Sequence, residues 1–160
     1  MYVEFSWKKI PLADLESVLK QSLMRASSHS KNVYGKNPLT AQEVFDLANS
    51  KETSAVAATI KPDGQPHLSP TDIVAVDGKL YLGVDKATAR YRNLQKNPRL
   101  TFMIMEGRKR QAIIEGKIRF LEMESAIAKR LGETQKKKYG WTTDSLVELI
   151  PEKAFTYKSA

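Results

Sequence analysis

Apolar positions near the start of the chain fall at helical spacing: Leu12, Leu15, Val18, Leu19 and Leu23 recur on one face. Pro11 precedes them, and proline suits a first helical turn because the N–H it lacks would find no partner there. The spacing therefore predicts a helix opened at Pro11. The following stretch, Ala26-Ser27-Ser28-His29-Ser30-Lys31-Asn32 and then Gly35-Lys36-Asn37-Pro38, is small and polar and reads as a linker. A division follows, with residues 1–37 as a helical N-terminal extension and residues 38–160 as the main domain. A second helix is predicted from Ala41 to Ser50. Thr40 is a suitable N-cap, Glu43 completes a capping box, and Val44 and Leu47 share a face behind Leu39.

Beyond Ser50 the apolar pattern shortens to period two or becomes continuous, which predicts strands. Ser54–Ile60 is the first, and Lys61-Pro62-Asp63-Gly64 is turn chemistry. His67–Val76 is the second, closed by Asp77-Gly78, a strong two-residue hairpin signal, and Lys79–Val84 returns as the third. Residues 88–97 read as a short helix ended by Asn97-Pro98. Leu100–Met105 and Gln111–Leu121 are two further strands joined by Glu106-Gly107-Arg108-Lys109. Helical pattern resumes from Met123 to Lys138, and the tail from Asp144 offers a helical turn, Pro151 and a last short strand at Ala154–Tyr157. Short strands, tight turns and one inserted helix predict a mostly β fold with α additions, a small antiparallel barrel.

A length of 160 residues fits one domain with an extension. The absence of Cys excludes a disulfide framework, a thiolate zinc site, an iron–sulfur cluster and a cysteine nucleophile, and two His leave little for an imidazole metal site. No apolar run approaches the ~18 residues of a membrane span. Met1 to Trp7 lacks the apolar core of a signal peptide. A cytoplasmic protein without membrane attachment is expected. Lys and Arg number 26 against 18 Asp and Glu, a net charge of +8. That balance suits an anionic partner such as nucleic acid, a membrane surface or a phosphorylated small molecule, and equally serves plain solubility.

Three stretches offer chemistry. Asp85-Lys86-Ala87-Thr88-Ala89-Arg90 follows a strand and opens a helix. Free backbone N–H groups and the positive dipole end there favour an anion, with the Thr88 hydroxyl, Lys86 and Arg90 as added donors. The same residues also suit a solvated, capped helix start. The second stretch, Gly64-Gln65-Pro66-His67-Leu68-Ser69-Pro70-Thr71-Asp72, carries prolines that interrupt a ladder and leave backbone groups for a ligand, or mark an irregular strand at a barrel opening. His67 as a base is the weaker reading beside a structural His. The third, Arg110-Gln111-Ala112-Ile113-Ile114-Glu115-Gly116, brings the polar Gln111 into an apolar strand. Lys136-Lys137-Lys138 with Tyr139 and Trp141 could contact nucleic acid by charge and stacking, though such a run is more often the wet end of a helix. Nucleophile-elbow, P-loop and dinucleotide fingerprints are missing.

Taken in order, Ala55–Thr59, Asp63-Gly64-Gln65-Pro66-His67-Leu68-Ser69-Pro70, Asp77-Gly78-Lys79-Leu80-Tyr81-Leu82, Thr88-Ala89-Arg90 through Asn97-Pro98-Arg99, and Arg110-Gln111 to Glu115-Gly116 resemble the flavin-binding split barrels related to pyridoxamine 5′-phosphate oxidase. The resemblance covers about residues 40–158. It implies a six-stranded antiparallel split β-barrel, a homodimer, and FMN held between the subunits. It assigns Thr88 and Arg90 to the phosphate, Ser69, Pro70, Thr71 and Asp72 to the strand lining the isoalloxazine ring, and Gln111 to a flavin contact from the partner subunit. The sequence departs from the oxidase proper: Ser69 stands where Arg is typical, Val74 where Lys is typical, and Ala89 replaces an Arg. The chain ends at Phe155-Thr156-Tyr157-Lys158-Ser159-Ala160 without the oxidase's Arg/His substrate segment. These departures point to the general FMN-binding or deazaflavin-binding branches, with a small-molecule redox substrate. Flavin chemistry resides in the cofactor, so the lack of an evident catalytic residue is no objection. An oxidoreductase, a deazaflavin-dependent reductase and a flavin carrier without turnover share this pattern, and a basic nucleic-acid-binding barrel stands as a remote fourth.

Overall fold

The computed structural model describes residues 14–160. Two helices, α1 (Leu15–Arg25) and α2 (Ser28–Tyr34), precede α3 (Ala41–Asn49). Strands β1 (Ser54–Ile60), β2 (Pro66–Pro70), β3 (Asp72–Val76) and β4 (Lys79–Gly83) lead to α4 (Ala89–Lys96). Then come β5 (Arg99–Glu106), β6 (Arg110–Phe120), α5 (Ala126–Tyr139) and β7 (Leu146–Lys158). Among the described residues no helix is long and apolar enough to cross a membrane.

All seven strands form one antiparallel sheet in the order β2-β1-β5-β6-β7-β4-β3. Its two edges, β2 and β3, are consecutive in the chain, so the sheet curls until they meet. The expected second strand is therefore two strands. Pro70 lacks an N–H and ends the ladder with β1, Thr71 makes one last bond to the Ala55 carbonyl at 3.0 Å, and from Asp72 onward the chain pairs with β4. This corner makes the count seven rather than six and leaves the split-barrel class intact.

Alternation fills the barrel. Ala55 and Ala57 of β1, Leu100, Phe102 and Ile104 of β5, Ala112 and Ile114 of β6, and Leu80 and Leu82 of β4 are buried in one core with Val44, Leu47 and Ala48 of α3. A smaller core lies outside the barrel, where Val74 and Tyr81 meet Ala128 and Leu131 of α5. The hairpin at Asp77-Gly78 has positive φ at both residues (51° and 71°), as a type I′ turn requires. Edge strand β3 is sealed by side chains. Asn49 accepts the Ala75 N–H at 2.8 Å and donates to the Ala75 carbonyl at 2.9 Å, while Tyr139 Oη exchanges both bonds with Ile73 at 2.9 and 3.0 Å.

Three expectations are corrected. The first helix starts at Leu15, because the Asp14 carboxylate caps it by accepting the Ser17 N–H at 2.8 Å; Pro11 and Leu12 lie outside the described residues. The supposed linker contains α2, because Ser27 is an N-cap that accepts from Ser30 N. The tail is no helical turn plus short strand but the 13-residue β7, which pairs with both β6 and β4. It passes Pro151 at a register shift opposite Glu115 and Gly116, where a missing ladder bond is tolerated.

Helix α1 packs on β7 through buried Leu15, Val18 and Leu19, and the buried Ser22 hydroxyl accepts the Ala154 N–H at 2.9 Å. Replacing Ser22 by Ala leaves that N–H unpaired and should cost about 1–3 kcal/mol in urea unfolding. Two glycines should respond with opposite sign. A Cβ on Gly116 would stand 2.1 Å from the Ile150 carbonyl oxygen, so Gly116→Ala lowers stability sharply. A Cβ on Gly132, inside α5, meets nothing within 4 Å, so Gly132→Ala raises stability by about 1 kcal/mol.

Candidate functional site

The corner between β2 and β3, the start of α4 and the loop after α5 meet at a cleft of about 200 Å³ lined by Pro70, Thr71, Asp72, Gly83, Asp85, Thr88, Arg90, Trp141 and Thr143. Five of the residues singled out from sequence converge here. Ser69 stands just behind the wall, where its hydroxyl accepts from Arg90. Lys86 and Gln111 are not among the lining residues. Lys86 is exposed and its backbone N–H donates to Asp144 Oδ1 at 2.8 Å. Gln111 lies on β6 opposite Met105 and Tyr157, with its amide 3.4 Å from the Gly107 carbonyl.

Arg90 is the centre of the arrangement. Only 9% of it is exposed. Its Nη1 donates to Ser69 Oγ at 3.0 Å and to the Pro70 carbonyl at 2.8 Å, and Nη2 lies 3.5 Å from the Gly83 carbonyl. The guanidinium thus joins the end of β2 to the end of β4. Its Nε is buried without a partner, a state that costs about 1–3 kcal/mol and that a ligand acceptor would relieve. Burial pushes the guanidinium pKa down, while Asp72 and Asp85 push it up. Arg stays charged throughout the physiological range.

Thr88 caps α4 with its side chain. Its hydroxyl accepts the Tyr91 N–H at 3.2 Å and donates to the Asp85 carbonyl at 2.7 Å. Among the described residues the N–H groups of Ala89 and Arg90 meet no backbone or side-chain acceptor, which leaves the helix start open toward an anion. Behind it, Asn93 donates to the buried Thr59 hydroxyl at 3.0 Å and Leu94 is buried in the main core. His67 pairs with Thr59 in the ladder and does not line the cleft.

On the far wall, sequence reasoning placed Asp72 at the site but offered Tyr139 and Trp141 only as stacking groups for nucleic acid. Asp72 Oδ2 accepts from Trp141 Nε1 at 2.7 Å and from Gln135 Nε2 at 3.2 Å, and Gln135 also holds Thr143 through its backbone N–H (3.1 Å) and hydroxyl (3.1 Å). Gly140, at φ 84°, ends α5 in the left-handed conformation and turns the chain into this loop. That glycine and the aromatic pair Tyr139 and Trp141 were the available signals. Lys138 is no wet helix end: its ammonium is partly buried and donates to the carbonyls of Ala48 and Ile73.

The sequence from residue 41 to 157 matches the family model described as pyridoxamine 5′-phosphate oxidase. The chain belongs to this family. A search of the curated proteins gives no match. Among solved structures it is similar to the conserved hypothetical protein Rv2991 from Mycobacterium tuberculosis, at 24% identity over 79% of this chain and 89% of that one, TM-score 0.66. It is also similar to HutZ, the heme storage protein of Vibrio cholerae, at 16% identity over 73% and 92%, TM-score 0.58. General stress protein 26 of Bacillus anthracis matches at 15% identity over 72% and 92%, TM-score 0.58. These likenesses show the fold of the pyridoxamine 5′-phosphate oxidase family and, by themselves, nothing of the ligand.

Lys138 gives the site a pH signature. Burial pushes its pKa down to about 8, with the Asp72 carboxylate pulling the other way. The unfolded chain holds the same proton up to about pH 10.4. Between these values the unfolded state binds more protons, so stability rises with pH. Above pH 10 Tyr139, whose pKa burial raises, reverses the trend, because its neutral form is the one the fold prefers. Urea unfolding at pH 7.5, 8.5 and 9.5 should show the rise in wild-type protein, and Lys138→Met should flatten it.

Proposed function

We propose that the protein binds FMN at the cleft between the β2–β3 corner and α4, and uses it for hydride or electron transfer to a small-molecule substrate. The observation that carries this reading is convergence. Residues far apart in sequence, Pro70 to Asp72 and Thr88 with Arg90, line one cleft, and the buried cation among them has a donor to spare. FMN supplies the redox chemistry when bound, through its isoalloxazine ring. The chain's own residues bind and orient it. The α4 start and Arg90 suit the phosphate, with Lys86 adding charge from solvent. Asp72 and Asp85 repel an anion but accept from hydroxyls, which the ribityl chain carries. No side chain is assigned a catalytic role.

This cleft alone is a small host. Sites that enclose organic ligands occupy roughly 300–1,000 Å³, more than the cleft's about 200 Å³. We therefore propose a homodimer in which Gln111 serves the partner's cleft. The outer face of the sheet supports it: Val56, Met103 and Ile113 form a half-buried row across β1, β5 and β6. Leu68 on edge strand β2 is 67% exposed. Residues 38–160 would then be the cofactor-binding domain, and residues 1–37 an extension to it.

The purified protein should be yellow, and light scattering should give the mass of two chains. Arg90 also holds the corner, so the informative quantity is a ratio. Arg90→Gln should lower the affinity for FMN relative to riboflavin by roughly 10- to 150-fold, the size of a charged hydrogen bond. A protein that takes up neither flavin, or stays monomeric at micromolar concentration, overturns this reading. A released cofactor with deazaflavin absorbance replaces FMN by that cofactor.

A further inference from the structure

We propose that Trp141 is the stacking wall of the cleft, receiving on its open indole face the flat ring of the ligand whose charged end lies at Arg90. The proposal rests on the cofactor reading above and names a residue which that reading does not use.

Trp141 is 54% exposed and belongs to neither apolar core, so folding does not account for its size. An exposed Trp with no function is free to move. This one is fixed. Its indole N–H donates to Asp72 at 2.7 Å, and its ring stacks on Tyr139 at 5.5 Å with an interplanar angle of 29°. Tyr139 is itself held by Ile73 through two hydrogen bonds, with the Lys138 ammonium 4.6 Å from its ring centre.

The loop that carries Trp141 lies flush on the end of β4. A Cβ on Gly83 would stand 2.3 Å from Gln135 Nε2 and 2.7 Å from Thr143 Oγ1, so any larger residue there would displace these side chains. Asp72 then couples wall to anchor. One of its oxygens holds the Trp141 N–H, and its charge faces Arg90. A rigid aromatic face at a set place from a buried cation fits a ligand with a planar ring and an anionic end. Preorganised aromatic surfaces bind rings at little entropic cost.

The test uses the full chain with riboflavin and FMN as probes. Trp141→Leu should weaken both by the same factor, about tenfold, as expected for one aromatic stacking contact. Trp141→Phe should retain most of the affinity. The emission of bound flavin, quenched by a stacked indole, should rise in Trp141→Leu at saturating flavin. If Trp141→Leu binds both probes as wild type does, with unchanged emission, the stacking role is overturned and the cofactor reading stands. A loss confined to FMN also overturns it, since Trp141 then acts through Asp72 on the phosphate end. Wild-type protein that binds neither probe overturns the cofactor reading and this proposal together.

Discussion

A sheet that closes on itself must join its two edges, and here the joint is the Pro70–Asp72 corner held by Arg90. At that point the ladder runs out. Pro70 has no N–H to give, and the Arg90 guanidinium donates to its carbonyl at 2.8 Å and lies 3.5 Å from that of Gly83. A planar guanidinium is the side chain best shaped to satisfy carbonyls from two directions at once. Its burial is made tolerable by Asp72 and Asp85. The cleft is thus a by-product of closure: the residues that finish the barrel are the ones left facing solvent at its seam. A ligand bound there would sense the integrity of the whole sheet.

The same economy governs α5. The helix covers Val74 and Tyr81 on the outside of the barrel, and its last turn supplies Gln135, Lys138 and Tyr139 to β3. Gln135 and the loop residue Trp141 both end on Asp72. A position on the outer helix therefore communicates with the cleft through hydrogen bonds to one carboxylate and one strand. Buried polar networks of this kind fix geometry when every member is paired.

Much of the fold was legible because local chemistry and tertiary structure agree. The alternation in Ser54–Ile60, the Asp77-Gly78 turn and the Thr40 cap each state their structure within a few residues. Where expectation failed, distant contacts decide. Residues 146–153 read as a helical turn ended by Pro151, yet β6 and β4 enclose Val147 to Leu149 on both sides and the shift at Glu115 makes room for Pro151. Residues 27–30 read as linker because the value of Ser27 lies in capping rather than in any apolar face. At the site, the β2–β3 corner and the α4 start were visible as a broken ladder and a helix start. The Trp141 wall was not, because its meaning comes from Asp72, remote in the chain. Arg90 carries a double duty that no motif announces.

The side-chain seal on β3 has a chemical lifetime. Asn49 imitates a neighbouring strand by offering one donor and one acceptor to Ala75, and it is followed by Ser50, a small residue whose amide nitrogen can attack the Asn side chain. Asparagine is thermolabile for this reason. Conversion to aspartate would keep the acceptor and lose the donor, setting a carboxylate against the Ala75 carbonyl. The core would be untouched, and Tyr139 would still close the edge at Ile73, but the Ala75 carbonyl would stand open.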